Sequence, residues 1–291
     1  MKVQITFLLV FICMAVFSQE IPEKKSGQTY YLPLKEYKKL GNELTQQDIR
    51  DFRFHQGDTL IKMPLDYVPQ KDENKFQLNY EYRKPKFLEI YKEVVFRNDR
   101  QRLRLWEKEI KMFFDPSIPE KHRNAIRYLA QGLSGAVDSL KISEVEKRED
   151  ANYHLYYTNS KDTVNYEPQL KNTKSGYWVY WDKRNRLERG FIKIDTDSIK
   201  NPVYQIANLK YQFFYSLGMF NNSNQFKSNA YLSNSNKIRN LTALDMEILK
   251  YHYSNDKPNG VDKKGFEKFH REIQEIHQKD PSAKFYIIPS Q

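Results

Sequence analysis

Apolar residues recur at helical spacing most clearly after Pro119. Ala125, Ile126, Leu129, Ala130, Leu133, Ala136, Val137 and Leu140 fall three or four apart, which predicts an amphipathic helix over residues 120–140 with one buried stripe. Pro119 and Glu120 suit its first turn. Upstream, residues 89–96 are rich in Ile, Tyr and Val, and residues 102–114 alternate and end in an apolar run, the pattern of a strand with one buried face. Three more strands are expected over residues 149–158, 176–182 and 189–195, the last two joined by a turn at Lys183, Arg184, Asn185 and Arg186.

Beyond Asn201 and Pro202 an apolar helix is expected over residues 203–217. Gly218 stands where a C-terminal cap favours glycine. An Asn- and Ser-rich loop follows over residues 221–240, and loops of that length often line a site. Thr242 is placed to cap a helix whose apolar side carries Ala243, Leu244, Ile248, Leu249 and Tyr253. A last helix over residues 263–278 presents Phe266, Phe269, Ile273 and Ile276, and Ile287 and Ile288 suggest a final short strand. The N-terminal third is less regular. Short apolar pieces at residues 30–32, 59–61 and 75–80 are separated by turn residues, and residues 44–52 suit a helix capped by Thr45. The order predicts an α+β fold: an α/β sandwich with a mixed sheet and packed helices, preceded by a β-containing N-terminal extension.

The first eighteen residues change this picture. Lys2, then a nearly unbroken apolar run from Ile5 to Phe17 and a small residue at Ser18, make a secretory leader, too short for a membrane span. The expected organisation is a signal peptide over 1–18, an N-terminal extension over 19–100, a main domain over 101–262 and a C-terminal helix and tail over 263–291. Cys13 is the only cysteine and leaves with the leader, so the core is built without disulfides. No later run approaches ~20 apolar residues. The chain is therefore expected to be exported, periplasmic or extracellular, with no membrane span. The formal net charge is +11, but 48 basic residues are interspersed with 37 acidic ones, which reads as a solvated mixed-sign surface. The basic cluster from Arg97 to Arg104 alternates with apolar residues, as strand edges do. With export, this argues against nucleic acid as a partner and leaves anionic cell-surface polymers as one.

Recognisable chemistry is sparse. There is no G-x-S-x-G, no phosphate loop and no cysteine nucleophile. His270 and His277 lie seven apart on one expected helix face without a third ligand. His154 falls in a strand and reads as structural. Asp195 and Asp197 share a strand face and read as solvated strand-end residues rather than a glycosidase pair, which needs facing partners.

Three stretches carry a resemblance: Tyr215-Ser216-Leu217-Gly218-Met219, then Ser228 to Leu232, then Leu241 to Tyr253 with its Thr242, Asp245 and closing Tyr253. Over roughly residues 103–260 the chain resembles the metzincin-like zinc peptidases, in particular a secreted bacterial branch known only as a domain of unknown function. The resemblance places Gly218 on the glycine of H-E-x-x-H-x-x-G-x-x-H. Tyr211 and Tyr215 then stand at the first two histidines, Gln212 at the general base, Asn221 at the third ligand, and Ala230 at the turn methionine. Residues four apart share a helix face, so Tyr211 and Tyr215 keep the geometry. A protonated phenol binds zinc poorly, Asn221 offers a neutral carbonyl, and Gln212 takes no proton. The resemblance thus implies no catalytic residue, no metal and no cofactor. Tyr211, Gln212, Tyr215, Asn221 and Asn222 either line a polar-aromatic cleft suited to a peptide or glycan, or Tyr211 and Tyr215 belong to the core. The expectation is a non-catalytic binding or structural protein, a pseudo-peptidase. The alternative is a hydrolase with a relocated site.

Overall fold

The computed structural model describes residues 28–50, 52–55, 58–64, 67, 76–78, 83–98, 100–161, 165–254, 259–279 and 284–287. The expected leader and Ile288 lie outside them. The fold is α+β, built on two five-stranded sheets.

The first sheet uses β1 (Gln28–Pro33), β2 (Arg53–His55), β3 (Asp58–Lys62), β4 (Phe76–Leu78) and the last strand, β10 (Lys284–Ile287), in the order β2-β3-β1-β10-β4. β1 and β10 run parallel, so the two ends of the described chain meet in one sheet. Two short helices follow β1, α1 (Leu34–Lys39) and α2 (Gln46–Arg50). α2 opens as expected at Thr45, whose hydroxyl accepts the Asp48 amide at 3.1 Å while the Asp48 carboxylate accepts the Thr45 amide at 2.9 Å. Tyr30, Leu32, Tyr37, Ile61 and Met63 form a small core of their own.

The second sheet carries the main core. In chain order its elements are α3 (Pro85–Val95), β5 (Ile110–Phe114), α4 (Glu120–Ala136), β6 (Ile142–Glu144), β7 (Tyr153–Thr158), β8 (Ser175–Trp181), β9 (Leu187–Asp195), α5 (Pro202–Ser216), α6 (Ala243–His252) and α7 (Lys263–Lys279). The strand order is β6-β5-β7-β9-β8. The first three pairs are parallel and β8 is antiparallel to β9, which makes the sheet mixed as expected. A bulge displaces the register at Tyr180 and Trp181, near the start of the β8–β9 turn.

Residues 89–95, apolar in the sequence, lie in α3, where Phe87, Leu88, Ile90, Tyr91, Val94 and Val95 recur on one stripe behind a first-turn Pro85. Two local expectations are corrected. Only Ile110–Phe114 of residues 102–114 is strand. The rest is irregular: Leu103, Arg104 and Trp106 are all buried, and Leu103 pairs with Val261 and Gly260, not with a sheet neighbour. The basic cluster therefore spans bends and this irregular segment, and Arg104 is buried, stacked 4.0 Å over the Trp181 ring. Gly218 is not the left-handed cap of α5. Met219 takes that conformation at φ 53°. Gly218 is needed for space, since a Cβ there would lie 2.5 Å from the Phe220 ring and 2.7 Å from His252 Nε2.

The two faces of the second sheet differ. Ile110, Met112, Phe114, Tyr153, Leu155, Tyr157, Ile192 and Ile194 join the same buried cluster as Ile126 and Leu133 of α4 and Leu209 and Phe213 of α5. Gly190 lets the Tyr153 ring lie over its backbone, where a Cβ would meet that ring at 2.2 Å. The alternate residues face away: Phe113, His154, Phe191 and Trp178 are Cα partners on successive strands. His154 Nδ1 is buried without a hydrogen-bond partner. Burial, then the charges of Arg148 and Arg189, hold its imidazole at about 4, below the ordinary 6.5.

Two outcomes follow. Gly218→Ala should cost ~1–3 kcal/mol by overpacking against Phe220 and His252, read as a lowered urea midpoint. His154 is neutral in the folded chain where the unfolded chain binds a proton, so its stabilisation is complete above pH ~6.5 and is lost as pH falls towards about 4. Subtracting the stability–pH curve of His154→Phe from that of the parent should leave a difference confined to that window; a flat difference would refute the shift.

Candidate functional site

Helix α5 starts at Asn201, whose side chain accepts the Val203 amide at 2.9 Å, with Pro202 in the first turn. It ends in the core, where its last carbonyls need partners. Trp106 Nε1 donates to the Ser216 carbonyl at 3.2 Å and the Tyr253 hydroxyl to the Leu217 carbonyl at 2.6 Å. Packing on both sheet and loop thus sets the rotation of the helix and decides what its remaining face meets.

That face carries Asn208, Tyr211 and Tyr215. The Tyr211 hydroxyl donates to Asn208 Oδ1 at 2.5 Å, and Ser175 Oγ of β8 reaches the same oxygen at 3.2 Å. The Tyr211 and Tyr215 rings meet edge-on with centroids 5.6 Å apart. Tyr215 is buried. Its single proton is shared between Asn222 Oδ1 and the Tyr231 carbonyl, the latter at 2.5 Å. Arg239 closes the arrangement: its Nη1 donates to the Tyr215 oxygen at 2.7 Å and to the Tyr231 carbonyl at 3.2 Å, and its guanidinium lies 4.8 Å over the Tyr211 ring. Burial pushes the Tyr215 phenol up and Arg239 offsets this only in part, so it remains protonated.

The loop is held in turn from α6. The Asp245 carboxylate is fully buried and accepts the Tyr231 and Leu232 amides, each at 3.0 Å, and the Thr242 amide and hydroxyl at 2.8 and 2.7 Å. Thr242 Oγ1 accepts the Asp245 amide at 3.3 Å, completing a capping box. The turn expected at residues 228–232 is present, with the Ala230 amide bonded to the Lys227 carbonyl.

Of the five candidate residues, Tyr211, Tyr215 and Asn222 come together. Asn221 does not join them: its backbone amide and side chain both donate to the Val94 carbonyl, at 2.8 and 3.0 Å. Gln212 is half-buried one position away from the Tyr211 direction. Asn221 and Asn222 line a cavity of about 670 Å³ with Lys92 and Phe96 of the α3 region, Gln225 of the loop and Lys263 of α7. Asn222 is the link between the tyrosine cluster and this cavity.

Chemically the α5 face is a closed donor–acceptor network around a fixed cation. A divalent metal there would meet the guanidinium of Arg239 at contact distance from its first ligand, with no anionic ligand to offset the repulsion. Among the described residues no three His, Cys, Asp or Glu side chains converge. His270 is buried and bonded to the Tyr251 hydroxyl at 2.9 Å; the His277 side chain lies outside the described set. Asp195 ends β9 and Asp197 lies in the turn after it: Asp195 accepts the Asp197 amide at 3.0 Å and Ser198 Oγ at 2.7 Å, and Asp197 accepts the Ser160 amide at 2.6 Å. Arg239 and Asn208 escape a reading of the sequence. Asp245 leaves a trace there in its spacing three after Thr242.

The class defined by this fold and site is an α+β protein with a five-stranded mixed sheet, an α5 face closed by phenol, amide and guanidinium groups, and a polar cavity beside it. The chain matches the family described as "Protein of unknown function (DUF2927)" over residues 78–268, and it belongs to that family. No curated protein matches it.

If Arg239 and Tyr215 are coupled as described, Arg239→Ala and Tyr215→Phe should each lower unfolding free energy by ~1–2 kcal/mol. The double variant should lose less than the sum by at least ~0.5 kcal/mol in urea titrations. Strict additivity would mean the two do not interact.

Proposed function

We propose that this chain is an exported, metzincin-related pseudo-peptidase that binds and does not cut. Its ligand, a peptide or glycan, takes the amide-lined cavity beside the degenerate motif. The carrying observation is the Arg239 guanidinium bonded to Tyr215 over Tyr211, a cation built into the face that the resemblance assigns to zinc. The protonated Tyr215 phenol and the neutral amides Gln212 and Asn222 supply neither anionic ligand nor base. The mixed sheet with its antiparallel edge strand, the turn at 228–232 and the capped helix behind it support the ancestry. Export rests on the leader pattern at 1–18. Gln225 and the remaining amide groups of Asn221 and Asn222 line the cavity wall, groups of the kind that recognise amides and hydroxyls.

Metal analysis decides the central point. Purified chain incubated with excess zinc and then dialysed should retain well under one equivalent, and a peptide library should be left intact with or without chelator. One firmly held zinc lost in Tyr211→Phe, or cleavage abolished by chelation, would overturn the reading in favour of a hydrolase.

A further inference from the structure

The outer face of the second sheet, across the strands from α5, carries a row of rings. Phe113, His154, Phe191 and Trp178 are in register on β5, β7, β9 and β8. The Phe113–His154 and His154–Phe191 centroids are 6.2 and 5.2 Å apart. Tyr180 extends the row on the same strand face, 6.5 Å from Trp178 and 6.2 Å from Phe191. Tyr166 borders it from the β7–β8 connection, edge-on to His154 at 5.9 Å. Phe191 is buried with Tyr156 and Leu170 beneath the β7–β8 connection, and Phe113, His154 and Tyr180 are half-buried, so the open part of this row is a shelf at the Trp178 end, with Tyr180 beside it.

Its charges are disposed unevenly. The carboxylates are buried and used up in orienting the tyrosines: Tyr166 donates to Asp115, and Tyr180 to Glu167 at 2.9 Å. The exposed charges beside the rings are cationic. Arg148 lies 5.4 Å over Tyr166, Arg189 lies 4.6 Å over Tyr180, and Lys111 stands one pleat from Phe113. Among the described residues none of the three has a carboxylate partner, although Glu149 and Asp150 adjoin Arg148 in sequence.

We propose that this shelf binds a carboxylate-bearing saccharide chain. Ring faces take the C–H faces of sugars by dispersion and weak polarisation. Guanidiniums pre-set on tyrosine rings take carboxylates bidentately. Charge and shape both favour this occupant over a protein. Trp178, at 38 % exposure, is the one ring of the row that is widely open, and the others are recessed beneath a cationic rim. A stable protein partner would need an interface nearer ~800 Å² with an apolar centre. The site is separate from the α5 face, so the zinc result leaves it untouched.

The test is titration of the full exported chain with a homogeneous oligogalacturonate, followed by tryptophan fluorescence and calorimetry at ~0.15 M salt. Maltoheptaose and polyglutamate of similar length serve as the neutral and the non-sugar polyanion comparators. Saturable binding of the uronate is expected, with each comparator about tenfold weaker or worse, and with Trp178→Ala and Arg189→Glu each costing about tenfold. Trp178→Tyr should restore most of the affinity, and unchanged melting temperatures would show that the variants are folded. Equal binding of polyglutamate, full affinity in the folded Trp178→Ala and Arg189→Glu variants, or no uronate binding would each overturn the proposal.

Discussion

A single buried carboxylate holds the centre of this molecule in place. Asp245 sits at the third position of α6, has no solvent contact, and accepts from two backbone amides of the 228–232 turn as well as from Thr242. Burying a carboxylate is tolerable only when its oxygens are satisfied. Here four donors and the first turn of a helix meet that condition. The consequence is geometric: the long loop between α5 and α6 cannot drift, because Tyr231 and Leu232 are tied to the helix that follows them. Tyr231 therefore presents its carbonyl at a set place, and that carbonyl receives both Tyr215 and Arg239.

The α5 face follows from this anchoring. A helix whose residues 211 and 215 point at one spot needs something there, since rings and hydroxyls left facing a void would lose contacts and hydrogen bonds. In this chain the spot is filled by its own groups. A guanidinium supplies the positive charge, protonated Tyr215 bridges it to Asn222 and the loop, and Asn208 takes the second phenol. The network ties helix to loop. The face is held by these bonds: Tyr211 to Asn208, and Tyr215 and Arg239 to each other and to the loop.

Polar groups also line the molecule away from this network. Asn221, turned towards α3 by its bonds to Val94, and Asn222 open onto the larger cavity. On the opposite side of the sheet, period-two alternation in four strands places rings outward at matching register, with arginines stacked above two of the tyrosines. One sheet thus presents two unlike environments, a fully buried apolar one under α4 and α5 and an aromatic one edged by cations on the other side.

Periodicity by itself determined the parts of this fold whose pattern is local. The amphipathic stripe of α4, the alternations of β7, β8 and β9, the Thr45 and Thr242 caps and the apolar α5 can all be read from neighbouring residues, because backbone preference and side-chain spacing act over a few positions. It misled where tertiary packing imitated a pattern. Residues 102–109 alternate in sequence but thread between α7 and the β8–β9 turn, and Gly218 is small because a phenylalanine and a histidine crowd it, not because its backbone turns left-handed. The helical spacing that sets Tyr211 and Tyr215 on one face was legible. Only the tertiary structure decided that Tyr215 is core, that Asn222 and not Asn221 meets it, and that Arg239, 24 residues further on, completes the cluster. A hydrogen bond across a long loop leaves no periodic trace in sequence, since its geometry is set by the anchors at the two ends of the loop.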